Sequence, residues 1–379
     1  MNPLGQAIRV GLVVNPVAGL GGPAGLKGSD GEDIQREALR RGAVPHSGDR
    51  AVSFLRELAR LNVRHELVCG PGPLGEDATR QTGLGQPTVV VPVTVSGRTT
   101  ASHTRAVVTE LSAMELDVIT FVGGDGTARD VAARLGPDDV LLGIPAGVKM
   151  QSGVFARSPE SAAALVAQLA QGRATTSTAE IVDIDEQARR EGIISSVLYE
   201  RVKVLGSGRQ VQGGKLGSRP ESQDSLAGLA KECHARMDPD AMCLLGPGTT
   251  VSAIAGGLNL ESTLLGVDVV HRGRVVAADC SAAQLHDLTR GQRIQVVLSP
   301  IGGQGFLFGR GNQQLDTQIL HQLDPQDVFI VCTPEKLGEL GGGPLYVDVE
   351  DPVLRSKFTG LRRIITGFRQ EAAVRLVAA

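Results

Sequence analysis

Val118-Ile119-Thr120-Phe121-Val122-Gly123-Gly124-Asp125-Gly126-Thr127 is an apolar run that breaks straight into a glycine-rich turn, and residues 128–135 follow as a helical segment closed by Gly136-Pro137. Strand, tight loop and helix in that order are the elements of an α/β fold. Glycines let a backbone approach a diphosphate closely, and the N–H groups at the following helix start favour anions. Asp125, held between two glycines, would lie beside such phosphates, where a carboxylate orients a metal ion or takes a proton from an attacking hydroxyl. A strand-to-helix turn with a capping Asp is the plainer alternative. Glycine on both sides of Asp125 exceeds what a cap requires, so the phosphate cradle is read first.

Working outward, strand and helix signals alternate. Ile8 to Val14 is a buried strand entering the turn Asn15-Pro16, Asp49 caps a helix that carries Val52, Leu55, Leu58 and Leu61 on one face, and residues 89–95 read as a strand. Residues 102–114 read as a helix and 141–144 as a strand. Ser158-Pro159 starts a helix that Gly172 ends. This predicts an α/β N-terminal domain over residues 1–174, with a parallel sheet covered on both faces. From residue 175 the texture changes to strand-like runs, among them 180–184 and 197–205, separated by glycine-rich turns. A second, mainly β domain is predicted over 175–379. Its last segment, 361–377, reads equally as strand or helix and could return to the first domain. Residues 206–222 and 338–344 read as loops.

A length of 379 residues favours two domains over one. Glycine, at 49 residues, is the compositional outlier, while an apolar share of 41% excludes wholesale disorder. A net charge of -3 argues against a protein that coats nucleic acid, so any bound anion must be held locally. The five cysteines show no Cys-x-x-Cys spacing, and the start of the chain lacks a signal-peptide pattern. No apolar stretch approaches membrane-spanning length, so a cytoplasmic protein is expected.

Other glycine-rich segments carry weaker signals. Asn15, Gly19, Gly21, Gly22, Gly25 and Gly28, with Lys27 among them, fit an anion nest bearing a point charge, or a long turn. Lys149, just past a strand end, is a phosphate contact or an exposed loop lysine. Residues 302–311, with Arg310, could grip a second phosphate group or build a hairpin. Asp183, Asp185 and Glu186 read first as a solvated turn and second as a Mg²⁺ site. The seven histidines have no ligand spacing.

The Gly-Gly-Asp-Gly-Thr motif at 123–127 resembles that of NAD kinases and of diacylglycerol and sphingoid lipid kinases. Pro247-Gly248-Thr249-Thr250 with Gly256-Gly257 resembles the second NAD kinase signature, and Tyr199-Glu200 stands in the place of that family's Asn-Glu pair. Ser252 stands near the position of a family Tyr, in a region one residue shorter. Asn15-Pro16-Val17-Ala18-Gly19, Ile144-Pro145-Ala146-Gly147-Val148-Lys149-Met150, Leu264-Leu265-Gly266-Val267-Asp268 and Pro300-Ile301-Gly302-Gly303-Gln304-Gly305 are similar to the ATP-NAD kinase-like branch that includes the X proteins of acetoin-catabolism clusters.

The resemblance implies a two-domain kinase whose active site is the cleft between the domains. It would transfer a phosphoryl group from ATP, or polyphosphate, to the 2'-hydroxyl of the NAD adenosine ribose, with Mg²⁺ as cofactor. Asp125 is implied as catalytic residue. Asn15, Gly19, Lys27, Gly123, Gly124, Gly126, Thr127, Lys149, Gly248, Thr249 and Thr250 are implied as nucleotide and phosphate contacts, and Tyr199, Glu200, Ser252 and Asp268 as acceptor contacts. A homo-oligomer is implied as well. A lipid kinase shares the first motif but not Gly248-Thr249-Thr250, and a nucleotide-binding regulator without catalysis is the third reading.

Overall fold

The structure is a computed structural model that describes residues 7–26, 32–84, 88–95, 98–147, 150–184, 196–206 and 221–379. These fall into two compact units, one within Met1–Leu20 and Val44–Gly214, the other within Gly21–Ala43 and Lys215–Ala379. Residues 21–43 thus join the second unit, although the chain around them belongs to the first.

In the first unit β1 (Ile8–Val14), β2 (His65–Cys69), β3 (Thr88–Val90), β4 (Val118–Gly123), β5 (Leu141–Pro145), β6 (Thr176–Ile184) and β7 (Ser196–Leu205) form one sheet in the order β3-β2-β1-β4-β5-β7-β6. All neighbours are parallel except the β6–β7 hairpin. Ile8, Val10, Leu12 and Val14 of β1 pack on one face with Phe54 and Leu58 of α2 (Ser47–Arg60) and Leu165 of α6 (Pro159–Ala170). On the other face Val13, Ile119 and Phe121 meet Val107 and Leu111 of α4 (Ala101–Ser112) and Val131 of α5 (Asp125–Ala132). Cover on both faces explains why these strands read as unbroken apolar runs. After β1 the chain builds β2, α3 (Glu76–Thr82) and β3 on one side, then crosses to β4 on the other. The strand order thus reverses at the carboxyl ends of β1 and β4, the kind of switch point at which open α/β sheets bind ligands.

Several boundaries differ from expectation. β6 and β7, on the far side of the boundary expected at residue 174, pair into the first sheet. Ile181, Val202 and Val204 turn into its core while Glu180, Arg201 and Lys203 face solvent. The change of texture near residue 175 is therefore a change from strands buried on both faces to strands buried on one. The strand expected over 89–95 stops at Val90: the Val91 N–H still reaches the Cys69 carbonyl at 2.9 Å, but the Val93 N–H turns back onto the Val91 carbonyl at 2.8 Å, a tight turn that leaves the ladder. The helix of residues 47–60 is capped by His46, with Asp49 in its first turn, where a carboxylate suits the helix dipole.

The second unit contains α1 (Glu32–Arg40) and two sheets. β8 (Met242–Leu245), β9 (Asp268–His271), β10 (Arg274–Ala277), β11 (Ile294–Leu298) and β13 (Val328–Ile330) are ordered β10-β9-β8-β11-β13, with β8, β11 and β13 parallel. β12 (Phe306–Phe308), β14 (Leu345–Val347), β15 (Gly360–Gly367) and β16 (Gln370–Ala378) form the other, ordered β12-β14-β16-β15. A bond from the Cys332 N–H to the Ile365 carbonyl, 3.0 Å, joins the sheets. Helices α7 (Gln223–Arg236), α8 (Thr249–Gly257), α9 (Ala282–Thr289), α10 (Thr317–Gln322), α11 (Pro334–Glu339) and α12 (Pro352–Phe358) accompany them. Residues 361–377 belong to the β15–β16 hairpin, whose Ile364 and Leu376 enter the core of this same unit.

All five cysteines are buried and free of disulfides. Burial pushes the thiols of Cys69, Cys233, Cys243 and Cys332 up to about 12 and that of Cys280 to about 11. The native protein should accordingly leave a thiol reagent unreacted at mildly alkaline pH, and all five should react once it is unfolded. The sign of the linkage is fixed too. An unfolded thiol ionises near 9 and a folded one only at 11 to 12, so stability falls as pH rises through that window. Chemical denaturation across the same range would detect it.

Candidate functional site

In the first unit the carboxyl ends of β1, β4 and β5 are joined by a small set of residues. The Asn15 N–H donates to the Val122 carbonyl at 3.0 Å, Asn15 Nδ2 donates to Thr127 Oγ1 at 2.9 Å, and Asn15 Oδ1 accepts from the Val17 N–H at 3.2 Å. Asn15 thus staples the turn after β1 to the motif after β4. Thr127 is buried and folded back over Gly123, where any added Cβ would lie 2.4 Å from Thr127 Cβ. Its hydroxyl is an internal latch. Gly19 adopts φ +75, and a Cβ there would sit 2.0 Å from the Ala146 carbonyl oxygen.

The helix expected over 128–135 begins inside the motif, at Asp125, with Gly124 as N-cap. The Ala146 and Gly147 N–H groups both donate to the Gly123 carbonyl, at 2.9 and 3.1 Å. Gly124 and Gly147 approach so closely that a Cβ on Gly147 would lie 2.7 Å from Gly124 Cα. Gly147→Ala should consequently push the two loops apart and lower both phosphoryl transfer and the melting temperature, which steady-state kinetics beside a thermal melt would check.

The Asp125 carboxylate is half-buried and in use. Oδ2 accepts from the Gln151 N–H at 2.7 Å and Oδ1 from the Ser152 N–H at 3.0 Å. Ser152 Oγ in turn accepts from the Val182 N–H at 3.1 Å, so one serine ties Asp125 to the β6–β7 hairpin. In that hairpin Ile181 opposes Glu200 and Val182 opposes Leu198, which leaves Tyr199 as the extra residue of a β-bulge. Tyr199 and Glu200 are exposed there. Ser152 and the bulge have no signature in the sequence. Lys27, Lys149, Asp185 and Glu186 lie outside the described residues.

In the second unit Gly248, at φ +124, caps α8, and its N–H donates to the Leu264 carbonyl at 2.9 Å. Thr249 is exposed and Ser252 half-buried, whereas Thr250 is fully buried. Asp268, expected among acceptor contacts, is 1% exposed. Its oxygens accept from Thr263 N, Thr263 Oγ1 and Asp279 N at 2.6 to 2.8 Å, so it holds the 263–268 loop. Arg310, one of the alternatives for a second phosphate grip, is buried against Asp348, with Nε to Oδ2 at 2.8 Å. Gly22, Pro23 and Gly25 of the expected nest pack on Gln313, Ala282 and Cys280 in this unit, and the Ala282 N–H donates to the Pro23 carbonyl at 2.9 Å. Among the described residues no group of three or more His, Cys, Asp or Glu converges to hold a metal ion, and no helix is long and apolar enough to cross a membrane.

The family model of the ATP-NAD kinase N-terminal domain matches residues 10–174, and that of the ATP-NAD kinase C-terminal domain matches residues 240–376. The chain belongs to the ATP-NAD kinase family. It is an NAD kinase-like phosphotransferase, with the α/β domain and the strand-rich second domain of that architecture. No curated protein sequence matches it significantly. The staple at Asn15, the clasp on Asp125 and the paired glycines 124 and 147 assemble the glycine-rich loop from three strand ends.

Proposed function

We propose that this kinase transfers the terminal phosphoryl group of ATP to the 2'-hydroxyl of the NAD adenosine ribose. The observation that carries the reading is the Asp125 carboxylate, fixed by two backbone amides at the start of α5, beside the glycines that follow β4. A carboxylate so fixed can accept the proton of the acceptor hydroxyl as its oxygen attacks the γ-phosphorus and the bond to the ADP oxygen breaks. The α5 start, with the glycine backbone around it, favours the phosphates of the bound nucleotide.

Mg²⁺ takes most of its ligands from water and substrate phosphates, and a loop with one carboxylate, Asp125, suits it without an all-protein cage. When bound it would neutralise charge on the transferred group. In this reading Asn15 and Gly19 shape the phosphate loop, and Lys27 and Lys149 supply positive charge to it. Tyr199 and Glu200 are acceptor contacts of the first unit, and in the second unit Ser252 is an acceptor contact and the Gly248–Thr250 turn a nucleotide contact. A homo-oligomer belongs to the same reading.

The test is incubation of the purified protein with Mg²⁺, ATP or polyphosphate, and NAD, diacylglycerol or a sphingoid base in turn. NADP formation is the expected result. Phosphorylated lipid without NADP would favour lipid kinase activity. ATP binding by calorimetry without product from any acceptor would favour a regulator that binds nucleotide and performs no chemistry.

A further inference from the structure

At the carboxyl ends of β8, β11 and β13 lies a buried polar cluster centred on the side chain of Thr250. Lys336, in the first turn of α11, is 8% exposed, and its Nζ donates to Thr250 Oγ1 at 3.0 Å and to Ser299 Oγ at 2.8 Å. Thr250 Oγ1 donates to Glu221, whose two oxygens stand 3.1 and 2.9 Å away, and Thr333 Oγ1 donates to Glu221 Oε1 at 2.9 Å. A hydroxyl has one proton to give and lone pairs to receive. Thr250 uses the proton on Glu221 and a lone pair on Lys336, so its side chain is committed to the protein, while Thr249 stays exposed at the head of α8.

We propose that Lys336 is a positioning residue for nucleotide binding: by holding Thr250 and Ser299 together it fixes the first turn of α8 and thereby half-buried Gly248 and exposed Thr249. This rests on the reading of that turn as a nucleotide contact. A buried ammonium is a costly choice for structure alone, since burial of a cation is unfavourable unless it is well paired. Here it spans two strand ends and a helix start. Without it, Thr250 loses the donor that fixes its rotamer, and the turn on which Thr249 is presented loosens.

The experiment is a double-mutant cycle on the full chain with Lys336→Met, Thr250→Val and the pair, measuring the Kd for NAD by calorimetry and KM and kcat for NAD in the kinase assay. Each single variant should weaken NAD binding and raise KM roughly tenfold while kcat moves much less, and the double variant should be no worse than either single one. Wild-type KM in Lys336→Met, or effects that simply add, overturns the proposal. Should Lys336→Met fail to fold, Thr250→Val decides alone: an unchanged KM there overturns it equally. A wild-type protein that binds no NAD removes the nucleotide reading and this inference together, whereas wild-type binding that Lys336→Met retains removes the inference only.

Discussion

Asp125→Asn should lower kcat by at least about 100-fold, the usual scale for loss of a general base, and should also cost about 1–3 kcal/mol of stability. Both effects follow from one carboxylate. Asp125 receives the Gln151 and Ser152 N–H groups on its two oxygens, at 2.7 and 3.0 Å. An Asn in its place keeps one oxygen as acceptor but turns an NH₂ towards the second N–H, donor against donor. The 151–152 segment would lose half of its anchor, and with it the contact through Ser152 Oγ to the Val182 N–H. Kinetics and a melt therefore read separate properties of the same variant. Turnover within tenfold of wild type would refute the base, and an unchanged melting temperature would refute the clasp. A change of side chain alone at Gln151 or Ser152 leaves the clasp in place, because both donors are backbone N–H groups.

That clasp marks the limit of what the sequence carries. β1, β4 and β5 are legible because strands buried on both faces leave unbroken apolar runs, ended here by Asn15-Pro16, Gly123-Gly124 and Pro145. The motif between β4 and α5 is legible because three glycines in five residues have few other uses. Partnerships across the fold are not. Lys336 stands 86 positions from Thr250, and Thr333 stands 112 from Glu221, and no local pattern links them. The Pro334 that places Lys336 in the first turn of a short helix is a helix-start signal only. Asp268 misleads for the opposite reason: the resemblance implies an acceptor contact, and only the positions of Thr263 and Asp279 reveal that both oxygens serve the loop itself. The bulge at Tyr199 is invisible in the sequence because it is a property of the register with β6.

Arg310→Met and Asp348→Asn should each destabilise the second unit by about 3–5 kcal/mol, the range for breaking a buried ion pair from one side. Both side chains are 4% exposed, Nε lies 2.8 Å from Oδ2, and the guanidinium carbon sits 4.3 Å over the Phe306 ring. The pair joins the glycine-rich segment after β12 to the end of β14. The backbone is packed so closely there that a Cβ on Gly309, at φ +84, would lie 1.9 Å from the Asp348 carbonyl oxygen. Arg310→Met leaves a buried carboxylate without its cation, and Asp348→Asn leaves a buried cation without its anion, so the penalty arises mainly from the group that remains. The paired change Arg310→Met with Asp348→Leu leaves neither charge behind and should recover a substantial part of the loss, since an apolar replacement of a buried pair is often neutral. Urea unfolding of the three variants checks this. A double variant as unstable as the sum of the singles would mean that the two side chains act independently, and the ion pair would then not be what holds the segment to β14.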